Sequence, residues 1–430
     1  MRVTKADTPD QEDDDSIAYM SMTRPVAQNG GTPTVISTER NSVDWVFVLL
    51  VGLLATLGLV MVFSASISLS ERLHEDAIKL GRNQTMYLCL GIAAVAVVWK
   101  VPLQVWERYG AVLLGVGLLS LCVVLIPGVG KSVNGAQRWI DIGVSVQPSE
   151  FFKLAIVLYL AGFLVRKGEQ IRNDWVVFAT PLLIAVLAAA LLLNQPDFGA
   201  TVVVTFTILA MMFIAGVRMK HFFIVFSLAI PVALAAIYAS PYRRTRLMSF
   251  TNPWDDPFDT DFQLTQALIA IGRGSFNGVG LGNSVQKMAY LPEPHTDFVF
   301  AVTAEELGLV GVTIVLSLFA LIVSRCFRVA RNAERAGHLF ASHMVAGIGF
   351  WLGFQTFINI GANMGVLPTK GITLPLFSYG GTSVLAVCIA FALVLRAHRE
   401  VAEFTERSLR KQVESRLGAS AGHRQVVPNV

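Results

Sequence analysis

The chain has 430 residues, of which 54% are hydrophobic and only 15% are charged, and its formal net charge is +4. So few charges and such long apolar runs exclude a soluble globular domain and predict a polytopic membrane protein. The Lys and Arg residues form no dense basic face, which argues against a nucleic-acid-binding protein. The four cysteines, Cys89, Cys122, Cys326 and Cys388, lack metal or redox spacing, and we interpret them as small hydrophobic residues.

The apolar runs predict an all-α fold of about ten membrane-spanning helices, since a helix needs roughly 20 residues to cross a bilayer. The predicted spans are Trp45–Ser68, Asn83–Trp99, Ala111–Ile126, Gln147–Val165, Val176–Leu193, Phe198–Gly216, Phe222–Ala239, Phe298–Val323, Phe340–Ile360 and Ile372–Leu395. They make up a transmembrane domain over residues 45–398, and a large polar loop, 241–296, separates the seventh span from the eighth.

The tails and the basic residues predict the orientation. Residues 1–44 carry an acidic cluster and little to bury, so we expect a disordered tail, and 399–430 form a second tail. Lys and Arg concentrate in the loops after the second, fourth, sixth and eighth spans. Because cytoplasmic loops are enriched in these residues, both termini are expected in the cytoplasm and loop 241–296 outside.

Asp297 stands where the large loop meets the eighth span, after a stretch stiffened by Pro292 and Pro294. A carboxylate at this joint is a candidate catalytic group. The alternative is a helix N-cap, because Asp is common there and complements the helix dipole. Glu305 would lie about 12 Å further along a helix. That exceeds the roughly 5–9.5 Å that separates paired glycosidase carboxylates, so Glu305 is not expected to be a second catalytic carboxylate.

Glu150 and Lys153 are three residues apart and can pair on one helix face. The apolar run 151–165 is too short to cross a bilayer alone, so the fourth span must include both. We favour an ion pair that faces the interior of the bundle, because exposure to lipid would be unfavourable. The alternative is a pair at the membrane interface with an extended Lys side chain.

Three residues of the shorter outside loops are further candidates. Arg138 and Trp139 fit either a membrane-interface belt or a substrate contact. Asp197 follows Pro196 in a tight turn, where it would complement a helix dipole; a cavity or cation-binding role is the alternative.

Arg243, Arg244 and Arg246 open the large loop and run against the positive-inside tendency. Guanidinium groups suit phosphate or pyrophosphate, and they suit anionic lipid head groups equally well. Both interpretations stay open.

Two stretches predict irregular backbone. Ile271–Ser284 is rich in glycine but lies in no βαβ unit, so it indicates a loop whose backbone approaches a ligand or the membrane surface. In Pro368–Ser383, Pro375, Gly380 and Gly381 should break a helix where the tenth span enters the membrane. Such breaks are tolerated where they line a cavity. A kinked helix packed through small residues is the alternative.

Together these motifs resemble the SEDS family (shape, elongation, division and sporulation). The matching motifs are Asn134–Ile140, Gln147–Glu150 with Lys153, Gln195–Asp197, Leu291–Phe298, Glu305–Gly308, Pro368–Gly371, Leu374–Pro375 and Ser378–Ser383. The resemblance runs in order from Trp45 to His398. It favours the division-type members, although the elongation-type members share most of the motifs.

The resemblance implies a peptidoglycan glycosyltransferase that polymerises lipid II, the undecaprenyl pyrophosphate-linked disaccharide peptide. The family's essential aspartate falls on Asp297, which is expected to act as general base in an inverting displacement of polyprenyl pyrophosphate. Expected substrate or cavity residues are Glu150, Lys153, Asp197, Arg138, Trp139, Arg243, Arg244, Arg246, His295, Lys370, Ser378, Gly380 and Gly381. A divalent ion, Mg or Mn, would help to neutralise the leaving group, and no organic cofactor is expected.

The family also implies partners and a location. We expect a cognate class B penicillin-binding protein, which cross-links the strands, other divisome membrane proteins, and no nucleic acid. The expected location is the bacterial inner membrane at the division septum, with the active site facing the periplasm. The alternatives are a lipid II flippase, an elongation-type polymerase and a non-catalytic division scaffold.

Overall fold

A computed structural model of the chain describes residues 43–133, 136–141, 143, 145–238, 254, 262–288, 290–368 and 371–422. Residues 1–42 of the predicted disordered tail and the predicted substrate residues Arg243, Arg244, Arg246 and Lys370 lie outside the described residues. The predicted tail is too long at its end, because Asp44 is buried and caps the first helix by accepting from Phe47 N at 3.0 Å. The part that is described is mostly helical and contains one small sheet.

The helices follow the predicted spans closely. They are α1 (Trp45–His74), α2 (Lys79–Val98), α3 (Leu103–Val124), α4 (Pro148–Lys167), α5 (Trp175–Asn194), α6 (Phe198–Ile214), α7 (Met219–Tyr238), α8 (Phe262–Gly274), α9 (Val299–Arg335), α10 (Leu339–Asn363) and α11 (Gly381–Gly422). Helix α8 lies in the predicted outside loop, and each of the others overlaps one predicted span. Helix α11 continues through the predicted tail boundary at residue 398.

Seven helices of the described chain, α1, α3, α4, α5, α9, α10 and α11, are long and apolar enough to cross a bilayer. Helix α6 is apolar but shorter, with 17 residues. These helices establish a multi-pass membrane protein, while the count of ten spans stays a prediction.

The all-α prediction is wrong in the loop between α3 and α4. Three antiparallel strands form a sheet there in the order β1 (Gly130–Val133), β2 (Ala136–Asp141), β3 (Ser145–Val146). Val133 is in register with Ala136, and the sequence between them is Asn134-Gly135. The Asn-Gly dipeptide is a strong sequence signal for a two-residue hairpin and could have predicted this sheet.

The interior of the bundle is formed by α4, α10 and α11. Their most apolar segments are 83%, 78% and 67% buried, whereas the corresponding segments of α1, α3, α5 and α9 are at most 28% buried. The second group exposes large apolar side chains such as Leu49 and Leu183, which is expected of helices that face lipid. Polar side chains on the first group are therefore enclosed by protein.

Helix α9 is broken at Gly308, where φ is 63° and ψ is −160°. The loop after α8 supplies partners for the backbone groups that the break releases. Four hydrogen bonds bridge the two segments: Val279 N to Glu305 O (3.0 Å), Gly280 N to Glu306 O (3.0 Å), Leu309 N to Ser275 O (3.0 Å) and Val310 N to Phe276 O (3.3 Å). An unpaired backbone group away from water costs several kcal/mol, so this pairing makes the break tolerable.

Glycines allow the loop to approach the helix so closely. A Cβ atom at Gly274 would overlap the carbonyl of Ala304, and one at Gly278 would overlap the carbonyl of Glu306. The glycine-rich stretch was expected to approach a ligand or the membrane surface. That expectation is wrong at Gly274 and Gly278, where the backbone approaches α9 instead.

Gly308→Ala is expected to destabilise the protein by about 3 kcal/mol or more. The alanine would have to keep a left-handed backbone conformation that is unfavourable for it, and its Cβ would overlap the Gly278 backbone. Thermal unfolding in detergent measures the effect. Gly115→Ala in α3 is the matched control, because its Cβ would meet no atom within 4 Å. Equal melting temperatures for Gly308→Ala and Gly115→Ala would contradict the conclusion that the backbone at Gly308 requires a glycine.

Candidate active site

Asp297 lies just before α9 and is half-buried. Helix α9 begins at Val299, and its N-cap residue is Phe298, which makes no side-chain capping bond. The N-cap position is thus one residue after Asp297. The side chain of Asn363 in α10 performs the capping instead, since its Oδ1 accepts from Ala301 N at 3.2 Å.

Two amide side chains of α10 hold the backbone of Asp297. Asn359 Nδ2 donates to the Asp297 carbonyl at 3.0 Å, and Asn363 Nδ2 donates to the same oxygen at 2.9 Å. The sequence analysis missed both residues. Their signal was the four-residue spacing of Gln355, Asn359 and Asn363, which places three amides on one face of an apolar helix.

Arg138 and Asp297 meet at Gly371. A Cβ atom at Gly371 would lie 3.3 Å from Asp297 Oδ2 and 3.4 Å from Arg138 Nη1. Arg138 also donates from Nε to Gln195 O at 3.2 Å and from Nη2 to Pro196 O, which ties β2 to the turn between α5 and α6. The structure thus brings one predicted guanidinium to the predicted carboxylate.

Trp139 is the next residue of β2. The register of β1 and β2 shifts here, so that Arg138 is an extra residue between the paired positions Gln137 and Trp139. Trp139 is half-buried and opposes Lys131 in the register of β1 and β2.

Asp197 is the N-cap of α6, a position at the helix start where its charge complements the helix dipole as expected. Its Oδ1 accepts from Ala200 N at 3.1 Å, and its Oδ2 accepts from Gln147 Nε2 and Ser149 Oγ, both at 3.4 Å. The carboxylate is buried and joins the start of α4 to the start of α6. A substrate role for Asp197 stays a prediction.

Glu150 and Lys153 form the buried ion pair that was predicted to face the bundle interior. Lys153 Nζ lies 2.8 Å from Glu150 Oε1, and the two side chains are only 3% and 8% exposed. Lys153 Nζ also donates to Gln355 Oε1 at 2.7 Å and lies 5.4 Å from the centre of the Trp351 ring. Within the described residues, Glu150 Oε2 has no hydrogen-bond partner.

Residues 371–380 are non-helical, as the sequence predicted, and α11 begins only at Gly381. Ser378 Oγ accepts from Leu374 N at 2.8 Å and closes a turn, while Gln84 donates to Ser378 O and accepts from Gly380 N. A Cβ at Gly381 would overlap the Tyr87 ring. These contacts explain on structural grounds why serine and glycines stand at positions 378, 380 and 381. A contact of Ser378, Gly380 or Gly381 with substrate stays a prediction.

His295 is buried beside Tyr379, with ring centres 5.3 Å apart, and its carbonyl accepts from Tyr379 N at 2.8 Å. Its Nδ1 has no partner in the part of the chain that the structure describes. Burial lowers the pKa of His295 below its usual value, against the opposing effect of Glu293. A neutral imidazole offers no full positive charge to a pyrophosphate.

Glu305 and Glu306 are fully buried, and they attach the loop to α9. Glu305 accepts from Ser284 Oγ and from the backbone of Val285, and Glu306 pairs with Lys287 at 2.7 Å. This structural role agrees with the expectation that Glu305 is not a second catalytic carboxylate.

The described residues contain no group of three or more His, Cys, Asp or Glu side chains that could hold a metal ion. Mg²⁺ is often held by one or two carboxylates together with substrate phosphates. The donor set around Asp297 therefore does not fit a protein-only metal cage, but it fits an ion that arrives with a phosphorylated substrate.

Fold and site together define a multi-pass helical membrane protein whose polar groups collect along α10 and the 371–380 segment. The sequence profile FTSW_RODA_SPOVE, described as "Cell cycle protein", matches residues 44–403. The chain therefore belongs to the SEDS family, and within it the chain is FtsW-like.

Relatives and solved structures agree with this membership. The chain is 50% identical over 349 residues to the "Probable peptidoglycan glycosyltransferase FtsW" of Thioalkalivibrio sulfidiphilus, covering 81% of this chain and 87% of that protein. It matches a chain from a "peptidoglycan synthase complex" with a TM-score of 0.70 and 32% identity, over 84% and 98% of the two chains. Thermus thermophilus RodA gives a TM-score of 0.61 and 31% identity, over 83% and 97%.

Proposed function

We propose that this chain is a peptidoglycan glycosyltransferase that polymerises lipid II, with Asp297 as its general base. The observation that carries the proposal is the meeting of the Asp297 carboxylate and the Arg138 guanidinium at Gly371. One group can take a proton, and the other can bind phosphate. The relative named as a glycosyltransferase supports the reaction class.

In the proposed reaction, Asp297 takes the proton of the acceptor sugar hydroxyl. The hydroxyl oxygen then forms a bond to the anomeric carbon of the donor, on the face opposite the pyrophosphate. The bond from that carbon to the pyrophosphate oxygen breaks, and its electron pair leaves with the polyprenyl pyrophosphate. This single displacement inverts the anomeric carbon and requires no covalent enzyme intermediate.

Arg138 is suited to the leaving group because a planar guanidinium binds phosphate oxygens through two parallel hydrogen bonds. Its ties to Gln195 and Pro196 fix its direction. A divalent ion, Mg or Mn, bound with the pyrophosphate would neutralise further charge. We assign Lys370 and the cluster Arg243, Arg244 and Arg246 the same charge-neutralising role.

The proposal includes partners and a location. A class B penicillin-binding protein would cross-link the new strands; the solved relative from a complex of "polymerization and crosslinking" supports a partner of this kind. We place the chain in the bacterial inner membrane at the septum, with other divisome proteins. Both termini lie in the cytoplasm and Asp297 faces the periplasm, which the distribution of basic residues supports.

A lipid II flippase is the second candidate. The observation that favours it is the buried polar group of Glu150, Lys153 and Gln355 deep among α4 and α10. Charged residues inside a membrane bundle commonly mark a substrate pathway.

Reconstitution separates the two candidates. Purified protein, its transpeptidase partner, lipid II and Mg²⁺ are combined without any other glycosyltransferase, and glycan products are separated by gel electrophoresis. We expect long glycan strands. Transfer of lipid II between the leaflets of vesicles, without polymer, would replace the polymerase by the flippase. If the protein shows neither polymerisation nor lipid transfer, both candidate functions are contradicted.

A further inference from the structure

Three buried amides, Gln355, Asn359 and Asn363, form a row along one face of α10, each four residues from the next. We call them the amide row. Their exposed fractions are 0%, 2% and 1%. Gln355 binds Lys153 and donates to Thr373 O at 2.8 Å, and Asn359 donates to Ile372 O at 2.6 Å. The amide row therefore fixes one side of the 371–380 segment.

Asn363 occupies the place of a helical hydrogen bond. In a regular helix that began four residues before Ala301, Ala301 N would donate to the carbonyl of Asp297. Here Ala301 N donates to Asn363 Oδ1 at 3.2 Å, and the Asp297 carbonyl accepts from Asn363 Nδ2 at 2.9 Å. One side-chain amide thus satisfies both halves of the bond and keeps them apart. The next bond, from Val302 N to Phe298 O, is made directly at 3.2 Å.

Asn359 supports the same arrangement. Its Nδ2 donates to Asp297 O at 3.0 Å and to Ile372 O at 2.6 Å, so it joins the start of α9 to the segment that contains Gly371. The distance between Asp297 and Gly371 is therefore set from α10. Arg138 faces the carboxylate across the same glycine.

We propose that Asn363, assisted by Asn359, is a positioning residue that holds Asp297 out of the first turn of α9 and aims its carboxylate at Gly371 and Arg138. The inference rests on the proposed function. Without the Asn363 amide, Ala301 N can bond to the Asp297 carbonyl directly. The helix then extends backwards by one residue, to Asp297, and turns the carboxylate away, while few backbone groups lose a partner.

The test is Asn363→Leu, which keeps the size of the side chain and removes both polar atoms. In the reconstituted complex with lipid II, kcat is expected to fall about 10- to 100-fold, as a displaced catalytic group does. KM for lipid II should change less than about twofold, because the displaced group acts in the reaction and not in uniform substrate binding. The melting temperature should stay near that of the wild type, because the helical bond replaces the lost contacts.

Two further variants make the test specific. Asn363→Asp keeps an acceptor for Ala301 N and removes the donor to Asp297 O, so its kcat should fall as well; it serves if Asn363→Leu does not fold. Asn194→Leu is the control, because Asn194 also donates to a backbone carbonyl, that of Ala190, but is exposed and does not contact Asp297. Its kcat should equal that of the wild type.

A folded Asn363 variant with unchanged kcat would overturn the inference. So would a melting temperature that falls with kcat while KM rises, because that result indicates a purely structural amide. In both cases wild type and Asn194→Leu still make polymer, so the proposed function survives. Absence of polymer from the wild type would overturn the proposed function and this inference together.

Discussion

Asp297→Ala is expected to lower the rate of glycan polymerisation by a factor of about 10² to 10⁴, the usual contribution of a general base. In the proposed reaction the Asp297 carboxylate accepts the proton, beside Gly371 and the Arg138 guanidinium, and its loss removes that acceptor. The measurement compares polymer formed per minute by wild type and variant at equal protein, in complex with the transpeptidase partner.

Two controls accompany this variant. Asp297→Asn keeps the shape and the backbone contacts to Asn359 and Asn363 but cannot accept the proton, so it should be as inactive as Asp297→Ala. Asp141→Asn removes an exposed carboxylate that pairs with Lys131 in the sheet, and it should retain full activity. Equal polymer from wild type and Asp297→Ala would remove Asp297 from catalysis.

Lys153→Met should destabilise the protein by about 3–5 kcal/mol, since removal of one partner leaves a buried charge uncompensated. Glu150 would keep its charge while its Oε1 loses the cationic partner, and Oε2 already has no hydrogen-bond partner in the described chain. Thermal unfolding in detergent, with and without added lipid II, measures the loss.

The double variant Glu150→Gln, Lys153→Met is the informative comparison. It removes both charges and should recover much of the stability that Lys153→Met loses. If the pair also binds substrate, the double variant should fold but polymerise lipid II poorly. A double variant no more stable than Lys153→Met would contradict the account of the pair as mutually compensating charges.

The parts of the fold visible in the sequence were those set by local composition. Each apolar run became a helix, because the length needed to cross a membrane leaves few alternatives. The pairing of Glu150 with Lys153 was predicted for a similar reason, since a three-residue spacing and the cost of a lipid-exposed charge leave one favourable direction.

The candidate site was predicted only in part, because its partners come from distant segments. Asn363 contacts a carbonyl 66 residues earlier in the chain, and no local pattern specifies that contact. Arg138 was one of several basic candidates, and only the folded sheet brings it to Gly371. The three strands were missed because the elements were predicted from the length of apolar runs, and a short polar hairpin contains no such run.

The break at Gly308 has a consequence for biosynthesis. Residues 275–280, whose backbone bonds to α9 on both sides of the break, precede α9 in the chain. They are therefore synthesised before the helix that they pair with. The first segment of α9, residues 299–307, is thus bonded to a part of the chain that is synthesised before it, so the partners for the break are present as soon as α9 emerges.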